Sequence, residues 1–153
     1  MKEALKKAGH FIKFRPRSSG EVREKLKSQG FSQVIIRKTL EYLMETEIIN
    51  DESFAKAWVS ERANSKFFGK SKIKSELSRK GIAPDIMEKA LNDVFQDLDE
   101  GDQVLQFLNN KFKKGYRNLD KRKLMALLLR NGFSYSQAEK ALKFSEDETD
   151  ENE

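Results

Sequence analysis

The sequence predicts an all-α protein of three tandem three-helix repeats, helix-turn-helix-like units stacked as an elongated, curved array. Three observations predict it. Gly30, Gly81 and Gly132 stand 51 residues apart, and their neighbours keep the register. Val22, Ile73 and Leu124 correspond, as do Leu26, Leu77 and Leu128, then Phe31, Ile82 and Phe133, and Leu40, Leu91 and Leu142. A fixed period of this length marks one supersecondary unit repeated several times. Apolar residues also recur at helical spacing, as in Ile36, Leu40, Leu43 and Met44, or Phe54, Trp58 and Val59. Finally, 37% of the 153 residues are hydrophobic and 36% are charged, too few apolar residues for one round globule but enough for a thin stack of helices. Function on such a fold belongs to a surface that runs over the repeats, not to one catalytic pocket.

The first repeat, residues 1–48, reads as helices over about 2–14, 19–29 and 32–45. Ser18-Ser19-Gly20-Glu21 fits a capping box at the start of the second. The second repeat, residues 49–98, reads as helices over about 51–65, 70–80 and 84–97, with Asn50 or Asp51 as a cap and Pro84 in a first turn. The third, residues 99–145, reads as helices over about 101–114, 120–131 and 134–144, with a second capping box at Ser134 to Gln137. In each repeat the middle and last helices are joined by Gly-apolar-small, a short turn like that of a helix-turn-helix. The three glycines sit where a helix ends and the chain must turn left-handed.

Charge divides the chain. Residues 146–153 carry six acids and no base, so the formal charge of +5 becomes +11 over residues 1–145. The body suits a polyanionic partner, nucleic acid above all. The end is expected to be a solvated, disordered acidic tail. No cysteine is present, which excludes a disulfide scaffold, a thiolate zinc site and a thiol nucleophile. The longest apolar run, Leu124 to Leu129, is far too short for a membrane span, and no apolar segment follows the basic N-terminus as a signal would require. A soluble cytoplasmic protein is expected.

Two motifs suggest chemistry that the residues do not support. Gly69-Lys70-Ser71 resembles the end of a phosphate loop, but Asn64 stands where that loop needs its first glycine. A cap for the next helix is the expected role of Ser71 or a neighbour. Asp97, Asp99, Glu100 and Asp102 resemble a calcium loop, yet the glycine is misplaced and Phe107 occupies the closing carboxylate's position. Acids at a helix N-terminus account for them. His10, the single histidine, has no companion ligand. No enzyme, metal or cofactor is expected.

Bases concentrate in three stretches. Residues 1–38 hold eleven bases against three acids, and further runs occupy 56–80 and 111–123. Each lies near the end of a first helix and the start of a second, and Arg15, Lys66 and Arg117 are repeat-equivalent. A regular stack would align them as a stripe able to follow a phosphate backbone, with salt-dependent binding. The candidate contacts are Arg62, Lys66, Lys70, Lys72, Lys74, Arg79 and Lys80 in the middle repeat, flanked by Arg15, Arg17, Arg117 and Lys121. Phe67 and Phe68 lie among these bases, where packing at the joint between repeats is favoured over stacking on unpaired bases. Trp58 reads as core.

Ile48-Ile49-Asn50-Asp51-Glu52-Ser53-Phe54-Ala55, then Trp58-Val59, Arg62, Gly69, Ile73, Glu76-Leu77 and Lys80-Gly81-Ile82, is similar to the signature of the RecX regulatory proteins. Arg15-Pro16-Arg17-Ser18 with Glu21-Val22, Leu26 and Gly30-Phe31 resembles that family's first repeat. The resemblance runs from about residue 4 to 144, is looser in the third repeat, and leaves out the acidic tail. It implies tandem three-helix repeats and a non-enzymatic regulator. Such a protein binds the RecA filament on single-stranded DNA and dampens its ATPase, strand-exchange and co-protease activities. Arg62, Gly69 and Lys80 are motif members, while capping and packing account for Asn50, Asp51, Phe54 and Glu76. The expected partners are RecA and single-stranded DNA, duplex DNA at most weakly, with the chain a monomer. The competing reading is a stand-alone helix-turn-helix DNA-binding module. Against it, the third helices offer Gln33 and Arg37, Met87 and Asn92, and Gln137 and Lys140, which share no consistent base-reading face.

Overall fold

The computed structural model describes residues 1–151, with side chains through residue 143. Among these residues the secondary structure is nine α-helices and no strand. They are α1 (Lys2–Ile12), α2 (Ser19–Ser28), α3 (Gln33–Glu45), α4 (Asp51–Asn64), α5 (Lys70–Arg79), α6 (Pro84–Phe95), α7 (Glu100–Lys111), α8 (Lys121–Arg130) and α9 (Tyr135–Glu151). Helix ends match the sequence expectation closely except at α9, which extends beyond residue 144. The side chains of the acidic segment 146–153 lie outside the described residues.

The 51-residue frame has a local physical meaning. Gly30, Gly81 and Gly132 take φ of 86°, 76° and 97°, the left-handed region that disfavours a Cβ. The amide after each glycine reaches back five residues: Phe31 N to Leu26 O at 3.2 Å, Ile82 N to Leu77 O at 3.1 Å, and Phe133 N to Leu128 O at 3.1 Å. This is the Schellman termination, in which the apolar residue after the glycine also meets the one five positions earlier. The repeated Leu-x3-Gly-apolar string is therefore one helix stop written three times. The two capping boxes form as well. Ser18 accepts from the Glu21 amide at 3.1 Å, and Ser134 from the Gln137 amide at 3.1 Å, with the reciprocal bonds present. Asn50 caps α4 by accepting from Ser53 N at 3.1 Å, and Asp99 caps α7 by accepting from Asp102 N at 2.9 Å.

The chain packs as two compact units, residues 1–57 with 77–90 and residues 58–76 with 91–153. In the first, α1, α2 and α3 pack on one another. Ala4 and Ala8 of α1 meet Val22 and Leu26 of α2 and Ile36, Leu40 and Leu43 of α3. The two alanines, both fully buried, present little more than backbone, so α1 can approach closely. In the second, α7 and α8 pack on α9 around Val104, Phe107, Leu108, Leu124, Leu128, Phe133 and Leu142. Phe107 stands edge-on to Phe133 at 5.8 Å and tilted to Phe68 at 6.4 Å. Phe67 and Phe68 thus serve packing, and Phe67 is held at φ 60° to do so. The frame positions other than the half-buried Phe31 are all buried.

Each unit contains a close backbone joint built on one of the repeat glycines. In the first, the start of α2 meets the turn that ends α5. A methyl group on Gly20 would stand 2.8 Å from Gly81 Cα, closer than two carbons can approach without displacement. The Ser18 hydroxyl donates to Lys80 O at 2.6 Å, and Asp51 accepts from the Ser19 amide at 2.8 Å and from its hydroxyl. In the second, the start of α5 meets the turn that ends α8. A methyl on Gly132 would stand 2.5 Å from Lys72 N and 2.6 Å from Gly69 O. Here backbone bonds join the parts: Gly69 N donates to Asn131 O at 2.8 Å and Ser71 N to Gly132 O at 3.2 Å.

Candidate nucleic-acid and partner interface

The second joint explains why Gly69-Lys70-Ser71 is no phosphate cradle. Two of the amides a phosphate would need are spent on Asn131 and Gly132 carbonyls. Ser71 falls inside the first turn of α5 and does not cap it; the neighbouring turn satisfies the helix start instead.

Helix geometry then sorts the candidate cations. Lys70 and Lys74, one turn apart on α5, are exposed, whereas Lys72 lies on the opposite side and is half-buried. Its ammonium donates to Asn131 Oδ1 at 2.9 Å and rests 3.8 Å from the Phe68 ring centroid. Lys70 reaches Glu100 at 3.5 Å and stands 5.4 Å from the Phe95 ring. Arg62, on α4, lies 4.4 Å from the Trp58 ring and 3.6 Å from Glu76, whose carboxylate also accepts from the Trp58 indole at 3.4 Å. Its Nε is buried without a hydrogen bond, since 3.6 Å exceeds hydrogen-bond reach. Trp58 is half-buried at this cluster rather than fully enclosed.

Glu21 gathers most of the remaining internal pairs. Arg15 donates to both its oxygens, Lys80 approaches at 3.5 Å and Arg17 at 3.8 Å, and the Ser18 amide donates at 3.2 Å. Burial pushes the Glu21 carboxyl up, but the Arg15 and Ser18 hydrogen bonds and the Lys80 charge outweigh it and hold the group below its ordinary value. Arg17 also donates through Nε to Phe11 O at 3.1 Å and stacks on the Phe11 ring at 4.0 Å. Arg17, Arg62, Lys72 and Lys80 therefore knit the fold, in addition to any contact their partly exposed ends make.

Lys66, Arg79 and Arg117 differ from these. All three are exposed, and no ion pair holds them among the described residues. Lys74 and Lys121 are exposed as well. Lys66 and Arg117 occupy the α4–α5 and α7–α8 connectors. The sequence reading passed over one aromatic: Phe14, in the α1–α2 connector between Lys13 and Arg15, is 72% exposed. Its available signal was that the equivalent positions, Ser65 and Tyr116, carry no shared apolar character. Among the described residues no helix is long and apolar enough to cross a membrane.

Family models place this arrangement. The model described as RecX, first three-helix domain, matches residues 4–43, and that for RecX, second three-helix domain, matches residues 50–91. The protein named Regulatory protein RecX from Prosthecochloris aestuarii is 35% identical over 134 residues, covering 86% of this chain and 86% of its own. The one so named from Finegoldia magna is 31% identical over 140 residues, covering 89% of this chain and 68% of its own. A Clostridium perfringens relative of the same name is 32% identical, and the match spans just over half of it, 55%. The crystal structure of RecX from Lactobacillus salivarius superposes with a TM-score of 0.75 at 24% identity, over 93% of this chain and 94% of that one, a likeness of fold.

Proposed function

The chain belongs to the RecX family of regulatory proteins, and from that premise we propose that it binds the RecA filament on single-stranded DNA and inhibits it. The inhibited activities are ATP hydrolysis, strand exchange and co-protease action. The protein performs no chemistry of its own and acts in the cytoplasm as a monomer. The observation that carries the reading is the family match over both of the first two three-helix domains. Support comes from exposed, unpaired cations in the connectors and on α5, placed where a polyanion can reach them. A non-catalytic protein lodged across a protomer interface would oppose the subunit motions that accompany nucleotide turnover.

The triplet Lys70, Lys72 and Lys74 is a poor test set, because reversing Lys72 would also damage the second joint. Lys66, Arg79 and Arg117 are better. Steady-state ATP hydrolysis by RecA on single-stranded DNA, titrated with this protein, is the direct measurement. Inhibition far below stoichiometry favours capping of filament ends, and inhibition only near stoichiometry favours coating of the groove. The triple glutamate variant is expected to need at least about tenfold more protein for the same effect, with unchanged helicity, since each lost phosphate contact weakens binding. No effect of the unmodified protein on RecA overturns the reading, and tight duplex binding in that case would favour a DNA-binding module.

A further inference from the structure

Phe14 is the most exposed large apolar side chain of the described residues at 72%, and its neighbours in the chain are exposed bases. Lys13 and Arg15 flank it, and His10 meets its ring edge-on with centroids 5.5 Å apart. Lys7, His10 and Phe14 follow a spacing of three and four residues, which places Lys7 on the same side of α1, and Lys6 and Lys7 are both exposed. The ring lies outside the apolar core that α1, α2 and α3 share. Phe11, one turn earlier, already fills the space beneath Arg17, and Phe67 and Phe68 are taken up in core packing.

We propose that Phe14 is a stacking platform for an unpaired nucleobase of single-stranded DNA, with Lys7, Lys13 and Arg15 holding the adjacent phosphates. The inference rests on the nucleic-acid side of the proposed function and adds to it a residue and the way that residue would hold the strand. A protein partner is disfavoured by the surroundings. A buried protein contact would take Phe14 into an apolar patch, but its neighbours here are cations that keep their water. A nucleobase suits them, because its π face covers the ring while its own phosphate meets the charge. Paired bases offer no free face. The site is therefore selective for single strands by geometry, with no hydrogen-bond readout of sequence. Arg15 contributes its outward edge, since its fork is turned to Glu21.

The test is fluorescence anisotropy of a labelled thymidine oligomer and of a matched duplex, without any recombinase. Phe14→Ala is expected to weaken single-strand binding by about tenfold, the scale of losing one stacked base. Duplex binding and the salt slope should stay as they were, since no phosphate contact is lost. Phe14→Trp should restore binding, whereas Phe14→Leu, equally apolar but without a π face, should bind as weakly as the alanine variant. Circular dichroism should be unchanged in all three. Wild-type affinity in the alanine or leucine variant overturns the proposal. So does a native protein that binds no single strand, although its effect on RecA would still be judged separately by the ATPase titration. An alanine variant that binds DNA normally but no longer inhibits RecA assigns Phe14 to a protein contact and likewise overturns it.

Discussion

The two glycine joints are the same structure solved with different chemistry. Shifting the first by 51 residues superimposes its sequence positions on the second: Ser18 on Gly69, Glu21 on Lys72, Lys80 on Asn131 and Gly81 on Gly132. In the first joint side chains make the connection, through the Ser18 hydroxyl and the Glu21–Lys80 pair. In the second the connection is mostly backbone, with Lys72 and Asn131 meeting where Glu21 and Lys80 meet in the first. The acid of one joint is the base of the other. The fold therefore demands closeness at this point, and it leaves the means of satisfying it free. It follows that the first joint is titratable and tolerates added atoms poorly at Gly20 and Gly81. The second allows almost no added atom.

The steric half of that contrast has the largest expected effect. Gly132→Ala places a methyl 2.5 Å from Lys72 N and forces a Cβ onto a φ of 97°. Gly30→Ala meets the same conformational objection at φ 86° but has open space around it. The left-handed conformation alone costs a non-glycine residue about 1 kcal/mol. Gly132→Ala should lose at least about 3 kcal/mol, with the excess over Gly30→Ala measuring the joint. Urea unfolding midpoints of the two variants check this, and equal losses would mean that the second joint is loose.

The titratable half is smaller. Glu21→Gln keeps an acceptor for the capping box but removes the charge that Arg15, Arg17 and Lys80 share. About 1 kcal/mol should be lost at neutral pH, given that the pairs are only partly buried. The sign of the pH dependence follows from the depressed carboxyl. The unfolded chain releases this proton near the ordinary value of 4.5, and the folded chain holds it off to lower pH. The stabilisation is thus complete above 4.5 and disappears as pH falls through the folded value. Stabilities of wild type and variant should converge in acid, as read from urea midpoints at stepped pH. A gap that persists in acid would assign Glu21 a purely steric role.

Much of the fold could be read before any coordinates, because its stops and starts are local. Leu26-x3-Gly30-Phe31 and its two copies encode a helix termination within six residues, and Ser18 with Glu21 encodes a start within four. Helix periodicity did the rest. The interface was less legible, because a cation's availability is decided by distant partners. Arg62 looks no different in sequence from Lys66, yet it stacks on Trp58 and faces Glu76 while Lys66 stands free. Glu21 meets Lys80, and Lys72 meets Asn131, at the same separation of 59 residues. One repeat period plus eight is a pattern that can be searched for, but the neutral Asn131 of the second joint hides it from a search for opposite charges. Phe14 escaped for the opposite reason: a turn aromatic outside the repeat frame has no periodic signal at all.

The smallest effect sharpens the comparison most. Lys72→Met keeps the aliphatic stem over Phe68 and removes the ammonium, losing a hydrogen bond to Asn131 and a contact with the ring face. Exposed and half-exposed interactions of these kinds contribute about 0.5–1 kcal/mol each, partly recovered here because methionine packs well on an aromatic ring. A net loss of about 1 kcal/mol or less is expected, read from urea midpoints against wild type. Backbone bonds from Gly69 and Ser71 would still hold the joint closed. A large loss in Lys72→Met would mean that the second joint, like the first, depends on its charged side chain. The two would then both rest on a charged side chain, an ion pair in the first and a cation–amide hydrogen bond in the second.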